Sequence, residues 1–480
     1  MQTNANQNKE CGGNMQLYSN LQDCYTDLKG AIQLHNGLLQ ECDIGLIKTK
    51  IDQLIWTTVF TNDANLKKFC RFIITEAAKI NGTIPASIFD FYLSIARGKH
   101  PDYTVPAINI RTLTYDIACV ILKLCKELKT SALILEIARS EIGYSEQRPA
   151  EYAACIMAAA LKEDYKQPIF LQGDHFQVNR TEYFLNQDEE INELESLIKE
   201  AIDAEFYNID IDASTIVNLA ETVLDKQQAG NYETTARFIK LIREYQPSAI
   251  PISIGGEIGE IGGKNSTVED LEAYMNGLNR TLSVLKIKDS ILKLSIQTGT
   301  THGGFVLPDG TLAQINIDFN TIKKLATLAN DRYEIAGVVQ HGASTLPKEL
   351  FQKFPENKTV EIHLATEFQN IILDHPKFPP ELKNAINTWV EENYREHNPQ
   401  ITEEQLIYKM RKYALGHFKS QLWNLPPEVK KEILETLRKT FSFIFHRLNI
   451  VNINEIINKT IKPVRLQKEL PHDVQKELNR

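Results

Sequence analysis

Residues 334–344 read Glu-Ile-Ala-Gly-Val-Val-Gln-His-Gly-Ala-Ser, a short apolar run that ends in a polar, glycine-containing turn. The same pattern recurs between residues 104 and 375, separated by stretches long enough for a helix. Continuous apolar runs are typical of parallel strands covered on both faces, and parallel pairing requires a crossover connection. The eight runs are Thr104–Ile110, Ala132–Ile137, Pro168–Gln172, Phe206–Asp210, Ala249–Ile254, Ile291–Gln297, Glu334–Gln340 and Thr359–Leu364.

Eight strand–helix units in a row predict an α/β fold, the closed TIM or (β/α)8 barrel. We expect crossover helices at Tyr115–Leu128, Glu189–Ala204 and Val268–Leu285. The alternative is an open, doubly wound sheet. It ranks lower because Ile110-Arg111-Thr112-Leu113 follows the first run, where a dinucleotide-binding sheet carries Gly-x-Gly-x-x-Gly.

The segments on either side of the barrel differ from it in character. Residues 1–45 hold a polar tail and a weakly helical stretch, and residues 46–103 are predicted to form an N-terminal helical extension. The barrel is predicted to occupy residues 104–375, and residues 376–480 to form a C-terminal helical extension. Helical segments therefore flank the barrel on both sides. Within the latter, Arg411–Trp423 either supplies a basic residue to a neighbouring site or forms a solvated helix face.

Composition excludes several classes of partner. The formal charge of -9, from 53 Lys+Arg against 62 Asp+Glu, argues against nucleic acid as a partner, since phosphate backbones require a basic surface. The seven cysteines form no Cys-x-x-Cys pair, which favours a reducing cytoplasm over a disulfide framework. No apolar stretch approaches the roughly 18 residues of a membrane span. We therefore expect a soluble, cytoplasmic protein with no membrane partner.

Histidine is scarce, with eleven in 480 residues, yet four lie at or just past the predicted strands: His175, His302, His341 and His363. Catalytic groups of barrel enzymes lie where the strands end. Three imidazoles on one rim, from His175, His302 and His341, match a catalytic zinc site that keeps one position open for substrate. For any single one of these histidines, the alternative is a polar residue satisfied within a loop.

Carboxylates and glycine turns follow the same strands. Asp174 directly precedes the first of these histidines and is either a general acid/base beside a metal or a loop cap. Asp212 and Glu257 end adjacent strands, where they orient the histidines, offer an alternative metal position or form salt bridges in the barrel mouth. The turns at Gly303 and Gly342 let backbone N–H groups approach an anion such as a phosphate.

In this order, the motifs resemble those of the class II, zinc-dependent fructose-bisphosphate/tagatose-bisphosphate (ketose-bisphosphate) aldolases. The resemblance covers about residues 104–375, and it rests on several elements in register rather than on any one of them. The matching elements are Asp174-His175, Ile211-Asp212-Ala213-Ser214, Glu257-Ile258-Gly259 followed by Gly262-Gly263 and Glu269-Asp270, His302-Gly303, and His341-Gly342-Ala343-Ser344.

The resemblance implies an enzyme of carbohydrate metabolism, as in glycolysis. It would reversibly cleave a ketose 1,6-bisphosphate to dihydroxyacetone phosphate and glyceraldehyde 3-phosphate through a zinc-stabilised enediolate. Fructose 1,6-bisphosphate is the leading candidate substrate. His175, His302 and His341 would bind the catalytic Zn²⁺, while Asp212 and Glu257 match positions near a second or alternative divalent metal. A monovalent cation and a homo-oligomer, dimer or larger, are also consistent with the family.

The resemblance also implies roles in proton transfer and substrate binding. Asp174 would move the proton of the aldehyde-side hydroxyl, and Glu269 the ketone-side proton. The turns that hold a substrate phosphate would be those at Gly303, Gly342, Ser344 and Thr366.

The chain departs from the family after the second and eighth runs. His363-Leu364-Ala365-Thr366-Glu367 replaces Asn-Ile-Asp-Thr-Asp, whose Asn contacts the enediolate, so His363 is the candidate hydrogen-bond donor there. Arg139-Ser140-Glu141 replaces a Ser/Gly phosphate turn, and Arg139 either binds a phosphate or forms a surface salt bridge.

Two other functions stay open at this stage. One is a metal-dependent barrel enzyme with a different reaction on a phosphorylated sugar, because a barrel does not fix the chemistry. The other is a non-catalytic, aldolase-like subunit, although the retained Asp174 argues against it. No lysine directly follows a predicted strand, which counts against a Schiff-base aldolase.

Overall fold

The computed structural model describes residues 15–98, 101–259, 264–299, 307–308 and 317–479. Its barrel strands are β3 (Val105–Asn109), β4 (Ile134–Ala138), β5 (Phe170–Gln177), β6 (Asn208–Asp212), β7 (Ser253–Glu257), β8 (Lys293–Ile296), β9 (Gly337–Gln340) and β10 (Thr359–Leu364). All eight pair in parallel and close in the order β10-β3-β4-β5-β6-β7-β8-β9. The predicted TIM barrel is therefore confirmed, and each predicted apolar run overlaps one strand.

Helices connect these strands on the outside of the barrel. Three of them lie at nearly the bounds that the apolar periodicity predicts. The helices of the barrel are α5 (Thr114–Leu128), α6 (Arg139–Tyr144), α7 (Pro149–Lys162), α8 (Arg180–Leu185), α9 (Gln187–Asp203), α10 (Leu224–Tyr245), α11 (Val268–Val284), α12 (Phe319–Tyr333), α13 (Lys353–Glu356) and α14 (Thr366–Leu373). At the start of α11, Thr267 and Asp270 cap each other's backbone N–H groups, which fixes where that helix begins.

The N-terminal extension contains one element that the sequence analysis did not anticipate. Its elements are α1 (Leu21–Leu28), β1 (Ile32–His35), β2 (Leu38–Cys42), α2 (Ile44–Phe60), α3 (Ala64–Ile80) and α4 (Phe89–Arg97). Strands β1 and β2 form an antiparallel hairpin where a weak helix was expected. Its turn is Asn36-Gly37, with φ of 50° and 76°. Asn-Gly is the preferred pair for a two-residue hairpin turn, so the signal was present in the sequence.

The segment that leads into α4 closes the end of the barrel where the strands begin. The Ile88 N–H donates to Oδ1 of Asn208 at the start of β6, at 2.8 Å. The Tyr92 hydroxyl reaches into the barrel and donates to the carboxylate of Glu361 on β10. The N-terminal extension therefore forms the base of the barrel, and ligands must enter from the opposite end.

The described residues that follow the barrel, from residue 376 onwards, contain six α-helices. They are α15 (Pro380–Tyr394), α16 (Glu403–Met410), α17 (Lys419–Trp423), α18 (Pro427–Arg447), α19 (Asn454–Thr460) and α20 (His472–Leu478). Short 3-10 turns occur at Ser214–Ile216, Lys348–Leu350 and Arg411–Ala414. Helix α18 packs on the barrel through the rings of Phe441 and Phe368, whose centroids are 4.7 Å apart. Across the described residues, every helix is too short or too polar to cross a membrane.

Candidate active site

A cavity of about 910 Å³ opens at the C-terminal ends of the barrel strands. It brings together Asp174, His175, His341 and His363, which are far apart in sequence. The predicted phosphate-turn residues that also line it are Gly342, Ser344 and Thr366. His302 and Gly303 lie outside the described residues.

An irregular strand allows Asp174 and His175 to face the same cavity. The predicted strand ends at Gln172, whereas β5 continues to Gln177 and carries both Asp174 and His175. In a regular strand, successive side chains point to opposite faces. Here the pairing with β6 shifts register between Gly173 and Phe176, and His175 has a φ of 38°. This bulge brings two neighbouring side chains to one site, and such strained backbone is common at functional sites.

His175 and His341, two of the predicted metal ligands, are each oriented by a contact to one ring nitrogen. Nδ1 of His175 lies 2.9 Å from Glu257 Oε2 and 3.1 Å from Asp212 Oδ2. Nδ1 of His341 lies 2.7 Å from the Ser295 hydroxyl. Partners of this kind fix the orientation of metal-binding imidazoles. The contacts of Asp212 and Glu257 with His175 suit the orienting role and the salt bridge in the barrel mouth, and Glu257 also belongs to a group of potential metal ligands.

The opposite ring nitrogens of these histidines converge on one carboxylate oxygen. Nε2 of His175 lies 3.9 Å from Asp174 Oδ1, and Nε2 of His341 lies 3.8 Å from the same atom. Because zinc–nitrogen distances are about 2.0–2.1 Å, an ion bound by these two imidazoles would lie beside the Asp174 carboxylate. Two groups of potential ligands share His341, namely His175-Glu257-His341 and Asp174-His341-His363. A donor set of imidazoles and carboxylates fits zinc.

Asp174 is held by two neighbours. Its Oδ2 accepts a hydrogen bond from Asn109 at 2.8 Å, and its Oδ1 lies 3.0 Å from Nδ1 of His363. Burial raises the pKa of Asp174, but the charges of His175 and His363 outweigh burial and hold that pKa well below its usual range. Asp174 is therefore held in its ionised form.

Both ring nitrogens of His363 contact carboxylates. Nδ1 lies 3.1 Å from Glu136 Oε1 as well as near Asp174, and Nε2 lies 2.6 Å from Glu361 Oε1. Burial lowers the pKa of His363, but Glu136 and Asp174 raise it overall, well above its usual value. The carboxylates around His363 thus favour its protonated form, and the side chain links Asp174 to the interior of the barrel.

A buried ionic cluster lies inside the barrel, and the sequence analysis missed it. The Lys293 ammonium contacts the Glu361 carboxylate, Asp210 Oδ2 at 2.9 Å and Gln172 Oε1 at 2.8 Å. Burial lowers the pKa of Lys293, but Asp210 and Glu361 raise it overall, so this lysine stays protonated. A protonated, paired lysine is not a Schiff-base nucleophile. The signal in the sequence is a charged residue, Lys293, inside the apolar run Ile291–Gln297 rather than after it.

Two predicted residues have other surroundings. Glu269 is exposed on the first turn of α11 and does not line the cavity. Arg139 forms a two-pronged ion pair with Glu190, and the Nη2–Oε2 distance is 3.0 Å. Of the two alternatives for Arg139, the salt bridge is the one observed. Its cationic head is therefore already engaged.

The protein is a (β/α)8 barrel with groups of potential metal ligands at its mouth. The sequence profile described as fructose-bisphosphate aldolase class-II matches residues 93–420. The chain belongs to this family, as the order of its motifs indicated, and membership supports an aldolase-type function. The search among curated proteins gave no match.

Several solved structures are similar to this chain. The fructose-bisphosphate aldolase of Campylobacter jejuni is 16% identical, covering 77% of this chain and 97% of that chain, with a TM-score of 0.47. The YdjI aldolase of Escherichia coli K12 is 14% identical, covering 72% and 99%, with a TM-score of 0.40. The fructuronate-tagaturonate epimerase UxaE of Cohnella laeviribosi is 11% identical, covering 88% and 89%, with a TM-score of 0.53. The likeness to UxaE therefore extends beyond the barrel into the terminal extensions.

Proposed function

We propose that this protein is a zinc-dependent aldolase that reversibly cleaves a ketose 1,6-bisphosphate, with fructose 1,6-bisphosphate as the first candidate. The observation that carries the proposal is the convergence of Nε2 of His175 and Nε2 of His341 on Asp174 Oδ1. His302 is the third proposed ligand, on the basis of the family motif. Membership of the class II family supports the same reaction.

The chain's own residues supply the proton transfer. Asp174 accepts the proton of the hydroxyl on the carbon that becomes the aldehyde, and the adjacent carbon–carbon bond breaks. The electron pair of that bond is left on the ketone fragment as an enediolate. Zinc, when bound, supplies the Lewis acid that stabilises this negative charge. Asn109 holds the other oxygen of Asp174, so the reacting oxygen keeps its direction.

His363 does not donate a hydrogen bond to the enediolate, which is the role expected of the family's Asn at this position. Because both of its ring nitrogens contact carboxylates, it positions Asp174 and does not have a donor left over for the enediolate. Its positive charge also favours the ionised form of Asp174. The replacement of Asn by His thus changes which group contacts the ketone fragment.

A second candidate is epimerisation of a ketose acid. It is favoured by the likeness to a fructuronate-tagaturonate epimerase over 88% of the chain, which includes residues outside the barrel. Cleavage by the same groups, followed by re-addition of the retained aldehyde through its opposite face, would invert one hydroxyl-bearing carbon. The two candidates differ in whether the aldehyde leaves the cavity.

One experiment separates them. Zinc-loaded protein is incubated with fructose 1,6-bisphosphate or with fructuronate, and triose phosphate release is followed by a coupled assay while epimer formation is followed by NMR. Release of triose phosphate that stops on chelation and returns with zinc supports the aldolase. Epimer formation from fructuronate without triose release supports the second candidate. Turnover that persists after complete metal removal contradicts both.

A further inference from the structure

The C-terminal extension forms a fixed roof over the mouth of the barrel. We define the roof as residues 411–419. At one end, Arg411 donates to both carboxylate oxygens of Asp374, each at 2.7 Å, and is itself buried. At the other end, Lys419 lies 2.5 Å from the carboxylate of Glu151 on α7. Two ion pairs to the barrel helices thus hold the segment at both ends.

A close backbone contact fixes the middle of the roof. The Gly416 N–H donates to the Tyr144 carbonyl at 2.9 Å. A Cβ at position 416 would lie 2.7 Å from that oxygen, so only glycine allows this approach. The rings of Tyr413 and Tyr144 also meet edge to face, with centroids 5.4 Å apart. The segment between the two ion pairs is therefore held in place, with Lys412 and Tyr413 lining the cavity.

Lys412 is the cationic residue that this arrangement places on the cavity wall. Its ammonium lies 5.9 Å from the ring centre of Tyr144 and 5.1 Å from that of Tyr413. Aromatic faces stabilise a cation weakly and leave its N–H donors unfilled. Among residues 15–98, 101–259, 264–299, 307–308 and 317–479, none forms a carboxylate ion pair with Lys412. Burial and the charge of Arg111 lower the pKa of Lys412.

Arg111 is the second cation on this side of the cavity. Its Nε lies 2.6 Å from Glu141 Oε1, and its Nη1 donates to Gln369 Oε1 at 3.1 Å. In the described chain, Glu141 is the only carboxylate paired with it. Arg111 and Lys412 thus have one ion-paired carboxylate between them, Glu141, and the partly buried Lys412 ammonium has no carboxylate partner among the described residues. A partly buried cation of this kind is stabilised when a ligand supplies an anion.

We propose that Lys412 and Arg111 form a subsite for the terminal anionic group, a phosphate or a carboxylate, of an open-chain ketose held in the cavity. The subsite rests on the proposed function, since it assumes that the reacting end of the sugar lies at Asp174. It lies beside β3, β4 and β10, whereas His175 comes from β5 and His341 directly follows β9. The roof is therefore the part of this chain that selects the substrate by its charged end.

The test measures binding without turnover. Zinc-loaded full-length protein carries Asp174→Asn in every sample, and Lys412→Met or Lys439→Met is added. Lys439 is an exposed residue of α18, paired only loosely with Glu435 at 4.0 Å, so it is the matched control. Calorimetry then gives the Kd of neutral fructose, fructose 6-phosphate and fructuronate.

We expect Lys412→Met to raise the Kd of the preferred anionic sugar roughly 10- to 100-fold, as for a lost charged hydrogen bond, and to leave that of fructose unchanged. Tighter binding of fructose 6-phosphate identifies phosphate as the natural group, and tighter binding of fructuronate identifies carboxylate. The proposal is overturned if neither binds better than fructose, or if Lys412→Met weakens all three equally or none. The expected binding pattern, together with a zinc-loaded wild-type protein (Asp174 intact) that cleaves no bisphosphate, contradicts the proposed function and leaves the subsite standing.

Discussion

The floor and the roof of the cavity are built in different ways. The floor consists of side chains from the barrel strands, each locked by a neighbour on another strand, as Ser295 holds His341. The roof is a segment from outside the barrel, attached by two ion pairs and one glycine contact. Groups locked in a barrel suit chemistry that depends on precise geometry, whereas an attached segment can change without disturbing the barrel. We therefore expect floor variants to alter turnover and roof variants to alter substrate affinity.

The largest effect is expected at the floor, from Asp174→Asn. The amide keeps the shape of the side chain but cannot take the hydroxyl proton, so kcat should fall by roughly 10²- to 10⁴-fold. Steady-state kinetics on fructose 1,6-bisphosphate measure this, with circular dichroism as the check on folding. Asp188→Asn, at an exposed position of α9, is the control. A folded Asp174→Asn variant with wild-type kcat would remove Asp174 from the mechanism.

The buried cluster beneath the floor should dominate stability. Lys293→Met leaves the carboxylates of Asp210 and Glu361 without their cation, and breaking a buried pair in this way costs about 3–5 kcal/mol. Lys48→Met breaks a partly exposed pair with Asp164 and should cost about 0–1 kcal/mol. Urea unfolding of both variants measures the contrast. Equal losses in the free energy of unfolding would show that burial does not determine how strongly these ion pairs stabilise the fold.

The same cluster predicts a dependence on pH. Burial raises the pKa of Glu361, but Lys293 outweighs burial and lowers that pKa to about 2, from the usual 4.5. A carboxylate with a lowered pKa in the folded state stabilises the fold above its unfolded pKa, and this contribution is lost as pH falls. The unfolded state is common to both proteins, and the buried carboxylates of Lys293→Met, left without their cation, take up protons at a higher pH than in wild type. The stability gap between wild type and Lys293→Met should therefore narrow as pH falls from above 4.5 towards about pH 2. A gap that is constant over this range would contradict the ionised pairing.

A smaller effect is expected at the roof, from Gly416→Ala. The added methyl group would lie 2.7 Å from the Tyr144 carbonyl, so the roof must move and carry Lys412 with it. We expect KM to rise several-fold with little change in kcat. Gly30→Ala, where a Cβ meets nothing within 4 Å, should change neither. A fall in kcat alone would show that the roof acts on the chemistry.

The barrel could be predicted from the sequence because each strand is a continuous apolar run between helical stretches. The floor could be predicted in part, since Asp174, His175 and His341 lie at strand ends and meet in the structure. The register shift after Gly173 could not, because it depends on pairing with β6. The roof could not be placed either, since the pairing of Arg411 with Asp374 is a long-range contact that no local pattern encodes.

The most direct test of the account is metal binding at the floor. Metal-free wild type, His341→Ala and the control His446→Ala, whose ring is exposed on α18, are titrated with Co²⁺ and followed by visible absorption and equilibrium dialysis. The account predicts that wild type and His446→Ala take up the ion tightly, with intense tetrahedral bands, and that His341→Ala loses both uptake and bands. Equal binding by all three folded proteins would contradict the assignment of the metal centre to the mouth of the barrel.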